Sequence, residues 1–483
     1  VKSVDWLVVH ASQGPESGDC FTLLEKKNKA LLQPEGCLVA SSNIKKFDPV
    51  GEKMLKHLYR FAFGWCCLLL LGCGLANAYD YPFADPYVAT VLDTPKEFAA
   101  ELPSEIPTKV DKIVMFEGRK TPGVLWNMDR LYYSYQQQKG PAPLIFLIAG
   151  TGASFKSSKM QTMQKAFYQA GFHVISLSSP THPNFVVAAS TSSVPGDLQE
   201  DSADLYRVMH AVWKKLQGKM EVTEFFLSGY SLGAAQSVFV TRIDEEEKVF
   251  NFKKVLLINP PVSLYNSVVI LDNLLADNIP GGIDKFDEFY KDMIHAFGEA
   301  YAHGKHVEFN DEFLYEAYEY HKAPTDAPME ALIGASFRVS CENMVFASDV
   351  MTKAGYVVSK GLELGRHDHI TPYVKVLSRL TFLDYFEGIF LPHFRSINPG
   401  HSETELIEKL SLRSIENYLR NSSKFGLITN EDDIILRPGE IDFLRAVFGS
   451  RATIFPHGGH CGNMAYPDNV AAMVGFFQNN KQN

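Results

Sequence analysis

Val222-Thr223-Glu224-Phe225-Phe226-Leu227-Ser228-Gly229-Tyr230-Ser231-Leu232-Gly233-Ala234-Ala235 is the stretch on which the reading of this chain turns. An apolar, aromatic-rich run reads as a buried strand. It breaks at Gly229-Tyr230-Ser231-Leu232-Gly233 and resumes as a small-residue helix from Ala234 to Thr241. The pattern is G-x-S-x-G between a strand and a helix, the sign of a serine presented as a nucleophile. So tight a turn forces the serine into a strained backbone conformation. Side chains at the flanking positions would collide with neighbours, which Gly229 and Gly233 avoid. The Ser231 hydroxyl then stands at the positive end of the following helix, where a developing oxyanion is favoured. The same pentapeptide also fits an ordinary strand-to-helix turn, so its surroundings must decide.

Upstream, Lys112 to Phe116 and Leu131 to Gln137 are expected as strands, with a turn near Lys120-Thr121-Pro122-Gly123. Tyr79 to Pro107 reads as irregular. Leu144-Ile145-Phe146-Leu147-Ile148 suits a central strand buried on both faces and leads into Gly150-Thr151-Gly152. A helix follows from Ser158 to Ala170, stopped by Gly171, then a strand over Phe172 to Leu177 and a helix over Asp197 to Leu216. Lys254 to Asn259 is one more buried strand. Strands alternating with helices of this size predict an α/β fold, a mostly parallel sheet flanked by helices.

From Val262 to Ser423 the patterns turn helical: Phe286 to Ala302, Phe313 to His321, Met329 to Ala335, Pro372 to Leu380 and Glu403 to Arg420. The sheet resumes only at Phe425 to Asn430. A helical excursion between two strands of one sheet reads as an inserted cap. The expected organisation is a core in two parts, 79–261 and 425–483, around a helical cap at 262–424.

After Asn430 come Glu431-Asp432-Asp433-Ile434-Ile435-Leu436, a helix over Glu440 to Phe448, and a strand over Ala452 to Phe455. The chain then runs through Pro456-His457-Gly458-Gly459-His460-Cys461-Gly462-Asn463 into a last helix, Pro467 to Phe477. Ser, then Asp, then His is the order of the α/β-hydrolases, and it differs from the orders of the chymotrypsin and subtilisin families. Over residues 110–262 and 425–478 the chain resembles that superfamily, and among its members the capped bacterial esterases and lipases. The resemblance implies that Ser231 attacks an acyl carbonyl, that His460 moves the proton, and that an Asp orients the imidazole. Asp433 is favoured because the family's acid usually precedes one variable and two apolar residues. Asp432 satisfies the same rule one place earlier. His460 is favoured over His457 because Gly458-Gly459 gives its loop the freedom to reach the serine. The resemblance places the oxyanion hole at the amides of Thr151 and Leu232. The family often carries His-Gly where this chain has Ala149-Gly150, which weakens assignment to any one lipase family.

The 483 residues carry a formal net charge of -10 and no Lys/Arg-rich block, which argues against a nucleic-acid binder. His367-Asp368-His369 puts two imidazoles on one face but lacks a third metal ligand, and an exposed polar loop is the plainer reading. No cofactor is expected. Residues 1–53 read as an upstream extension. Residues 54–78 combine a basic start, an apolar run and Ala76-Asn77-Ala78, the parts of a secretory signal peptide. Export is therefore expected, to the periplasm or beyond. The competing outcome is a lipoprotein anchored at Cys73 in Leu70-Leu71-Gly72-Cys73. In an exported protein Cys341 and Cys461 either pair or stay as buried thiols. The partner expected is a small-molecule or lipid-like ester, with any membrane contact made through a lipidated Cys73 or the cap. Phe286, Phe289, Tyr290, Phe313, Tyr315, Tyr318 and Tyr320 either cover an acyl group or pack as an ordinary subdomain. Thioesters and peptides use the same triad. A catalytically silent binding protein of the cell envelope on the same fold is the alternative from another class.

Overall fold

The computed structural model describes residues 79–303 and 328–478. The expected extension and signal segment, with Cys20, Cys37, Cys66, Cys67 and Cys73, lie outside the described residues. So does the expected helix with Phe313, Tyr315, Tyr318 and Tyr320.

Eight strands form one sheet: β1 Thr108–Ile113, β2 Leu131–Gln136, β3 Ala142–Ile148, β4 His173–Leu177, β5 Val222–Tyr230, β6 Val255–Ile258, β7 Phe425–Asn430 and β8 Ala452–Phe455. Their spatial order is β1-β2-β4-β3-β5-β6-β7-β8. β2 pairs antiparallel with both neighbours, and every other pairing is parallel. β5 lies at the middle because it is apolar on both faces. Successive residues of a strand point to opposite sides. Phe225 meets Trp213 at 5.1 Å and Phe250 at 5.3 Å. Phe226 meets Phe477 at 5.4 Å and Phe172 at 5.8 Å on the other face.

Before the sheet lies a short helix, α1 Pro86–Leu92. On the sheet faces lie α2 Ser158–Gln169, α3 Pro183–Ala188, α4 Leu198–Leu216 and α5 Leu232–Glu247. Between β6 and β7 the described elements are all helical: α6 Leu264–Ala276, α7 Phe286–His303, α8 Met329–Thr352, α9 Thr371–Leu377, α10 Phe382–Tyr385, α11 Leu391–Ile397, α12 Glu403–Lys409 and α13 Glu416–Asn421, with short 3-10 and π segments among them. α14 Glu440–Phe448 and α15 Pro467–Gln478 complete the chain.

Three expectations are corrected. The first strand lies at Thr108–Ile113, ahead of the apolar run at 113–116, because an exposed edge strand carries little apolar signal. The helix starting at Met329 runs to Thr352. Its buried residues, from Ala331 through Cys341 to Val350, wrap most of its circumference and leave no stripe to follow. The helix expected over Glu403 to Arg420 breaks after Lys409. There Leu264 N donates to Leu410 O (2.9 Å) and Leu412 N to Val262 O (2.8 Å), and Ser263 and Ser411 form an antiparallel bridge. The two ends of the insertion therefore leave and return side by side. Leu412, Ile415 and Leu419 already pack in the core of the sheet, ahead of residue 424.

Candidate active site

Ser231 sits between β5 and α5 with φ 52° and ψ -127°, a conformation that non-glycine residues avoid. The glycines on either side are dictated by contact. A Cβ on Gly229 would lie 2.4 Å from the Gly233 carbonyl oxygen, and one on Gly233 would lie 2.4 Å from that of Ile148. The loop after β3 rests on this turn: a Cβ on Gly150 would meet the Tyr230 ring at 2.7 Å. Thr181 Oγ1 accepts from Gly152 N at 2.8 Å and fixes that loop. Thr151 and Leu232 both line the cavity over Ser231, and neither amide has an acceptor among the described residues.

Asp433 and His460 reach Ser231 from the turns after β7 and β8. His460 Nε2 is 3.0 Å from Ser231 Oγ, and His460 Nδ1 is 2.9 Å from Asp433 Oδ1 and 3.2 Å from Oδ2. All three side chains are buried. Asp433 also accepts from Asn259 Nδ2 at 2.8 Å and from Ile435 N at 3.2 Å. The neighbouring Asp432 faces elsewhere. Its oxygens accept from Gly458 N (3.2 Å) and Gly459 N (2.9 Å), so it holds the loop that carries His460 and does not touch the imidazole. His457 donates to Phe83 O at 2.9 Å, away from Ser231. Burial by itself lowers the pKa of the His460 imidazole. The Asp433 carboxylate opposes this and wins, so the net shift is well above the ordinary value of 6.5. Burial likewise raises the Asp432 carboxyl, although the two loop amides pull it back.

The insertion roofs this site. Leu264, Ser267, Val268 and Leu271 of α6 and Phe337 of α8 line the cavity with Pro261 and Ile435. The spacing of the α6 residues puts them on one helix face. The cavity measures about 10 Å³, room for about one water molecule. Phe286, Phe289 and Tyr290 do not line it; they pack in an apolar cluster with Leu274, Leu275 and Leu332. Cys341 and Cys461 are both buried and free, so the disulfide alternative is not formed. His367 and His369 lie on an exposed loop. Among the described residues no cluster of three or more His, Cys, Asp or Glu is arranged to hold a metal. No helix among them is long and apolar enough to cross a membrane.

Two contributors escaped the sequence reading. Asn259 is fully buried at the end of β6. A polar residue closing an apolar run was the available signal. The segment before β1 is the other. Asp85-Pro86 carries the marks of a helix start, an acidic cap followed by Pro, and Asp85 Oδ1 indeed accepts from Tyr87 N and Val88 N at 2.9 Å.

No family model matches this chain, and no curated protein matches it. Solved structures do. An esterase of Rhizomucor miehei aligns at 11% identity and a TM-score of 0.37, covering 78% of this chain and 83% of that one. An esterase of Pyrococcus furiosus aligns at 12% and 0.36, covering 77% and 92%. Brefeldin A esterase, described as a bacterial homologue of human hormone-sensitive lipase, aligns at 13% and 0.36, covering 81% and 84%. In its strand order and in the strained serine between β5 and α5, the chain has the α/β-hydrolase fold.

Proposed function

We propose that this chain is a serine hydrolase that cleaves carboxylic esters through an acyl-enzyme at Ser231. The observation that carries the reading is the unbroken hydrogen-bonded series from Ser231 Oγ through His460 to Asp433, at 3.0 and 2.9 Å. His460 Nε2 takes the hydroxyl proton as Ser231 Oγ attacks the carbonyl carbon. Asp433 holds Nδ1–H and stabilises the imidazolium that forms. The amides of Thr151 and Leu232 receive the oxyanion, a contribution of roughly 3 kcal/mol for each donor. The same proton then passes to the departing alkoxide. Water, activated by His460 in turn, releases the acid. The apolar roof from α6 and Phe337 supports an acyl group of hydrocarbon character, which favours lipid-like esters. Export of the protein and any anchoring through Cys73 belong to the same reading and are supported by the order of residues 54–78 alone.

Labelling of the full chain with a fluorophosphonate serine probe tests this. Wild type should label, and Ser231→Ala and His460→Ala should not. Ester hydrolysis should drop at least roughly a thousandfold in both variants. A folded wild type that stays unlabelled, or a Ser231→Ala variant that still labels, would overturn the reading.

A further inference from the structure

The loop that carries His460 turns sharply, with Gly462 N donating to Gly458 O (3.1 Å) and Tyr466 N to Asn463 O (3.0 Å), while the amide of His460 itself bonds outside the loop. Gly458, Gly459 and Cys461 all have positive φ, at 149°, 57° and 63°. Its inner side is tied to the turn after β7 through Asp432 and through Asn430, whose Nδ2 donates to Gly459 O at 2.7 Å. Its outer side is held by a segment that lies more than 360 residues earlier in the chain, ahead of the first strand of the sheet.

The contacts of that segment converge on one loop. Thr90 Oγ1 accepts the backbone N–H of His460 at 2.9 Å and donates its own hydrogen to Pro86 O at 2.6 Å. Tyr81 Oη and Thr94 Oγ1 both donate to Gly462 O, at 2.9 and 3.0 Å. Phe83 O receives His457, and Ala100 N donates to Ala465 O at 2.8 Å. The fit is close enough to demand glycines. A Cβ on Gly459 would lie 2.2 Å from Pro86 O, and one on Gly462 would lie 2.0 Å from Ala89 O. The segment is itself fastened to the sheet's flank, where Lys159 of α2 binds Asp93 at 2.9 and 3.1 Å. Ala89 and Val91 are almost wholly buried.

We infer that Thr90 is a positioning residue for His460, and that residues 81–94 form a strap which completes the base-bearing side of the site. The inference rests on the proposed function. Its physical content is that the amide of His460 is buried, so it must have an acceptor, and only a hydroxyl at position 90 supplies it in place. With the acceptor present, the imidazole stays within reach of Ser231 Oγ and Asp433 together. Without it the loop relaxes, and a small displacement of a catalytic group is costly in rate.

The test compares Thr90→Val, which keeps shape but offers no acceptor, with Thr90→Ser, which keeps the hydroxyl, in the full chain. On p-nitrophenyl acetate, kcat of Thr90→Val should fall about tenfold with KM unchanged, and Thr90→Ser should recover to within about twofold of wild type. Hydrogen–deuterium exchange gives a readout independent of turnover. Residues 457–465 should exchange faster in Thr90→Val, while β5 and β6 stay as protected as in wild type. An unchanged kcat in Thr90→Val, a Thr90→Ser variant as impaired as Thr90→Val, or unchanged exchange across 457–465 would each overturn the inference. A wild type that neither labels nor turns over would sink the proposed function instead, and the exchange comparison would still decide the strap.

Discussion

Ser231 and His460 are held in opposite ways. Ser231 is placed by its immediate neighbours: a strand before it, a helix after it, and two glycines whose absent side chains let β3 and α5 close around it. His460 is placed by three other parts of the chain, namely Thr90, the turn with Asn430, Asp432 and Asp433, and Asn259 acting through Asp433. Each half also has its own cover, the helical insertion over the serine and the strap against the histidine loop. A locally specified group is robust and readable. A group assembled from afar is adjustable, and it fails by pieces.

The widest gap should appear within the turn after β7. Asp433→Asn removes the carboxylate at Nδ1 and should cost roughly a thousandfold in kcat/KM. Its neighbour Asp432 only accepts two loop amides, so Asp432→Asn should cost about tenfold. Steady-state kinetics on one ester decides the point, and equal losses would break the distinction between a group that touches the imidazole and one that holds its loop. The pH profile sharpens it further. The base must be neutral to act, so activity is lost as pH falls through the pKa of His460. That midpoint should lie above 6.5 in wild type and move down in the residual activity of Asp433→Asn.

Next in size is an effect confined to the roof. Burial pushes the Glu342 carboxyl up to about 8, and Tyr290 donates to it. Between 4.5 and about 8 the folded protein holds a proton that the unfolded chain releases, so stability falls as pH rises through that window. Glu342→Gln should flatten this slope, by about 3 kcal/mol between pH 5 and 8, in urea unfolding followed at both pH values. Its kcat at a fixed pH should not change, because neither the elbow nor the strap is touched. The smallest effect expected is on selectivity. Leu271→Ala should enlarge the cavity over Ser231 and raise the ratio of kcat/KM for p-nitrophenyl hexanoate over acetate by about fivefold.

The same contrast explains what could be read beforehand. β3 and β6 are nearly continuous apolar runs, β5 carries Phe225-Phe226-Leu227 at its centre, and the elbow is a five-residue pattern with a steric cause, so all were legible. Asp433 and His460 were legible through the order of motifs, although only geometry separates Asp433 from Asp432. The strap was not, because a seven-residue helix owes its place to contacts with a loop more than 360 residues away. The break after Lys409 was hidden for a related reason: the backbone groups of Leu410 and Leu412 bond to Val262 and Leu264, not to the next helical turn.

That crossing of Ser263 with Ser411 has a bearing on how such a protein can change over time. Bridged backbones of this kind stand about 5 Å apart, a gap that a link of about two residues can close. A change in the length of the stretch between them therefore need not alter the register of β6 against β7. What reaches the serine can then vary while the sheet that presents it keeps its register.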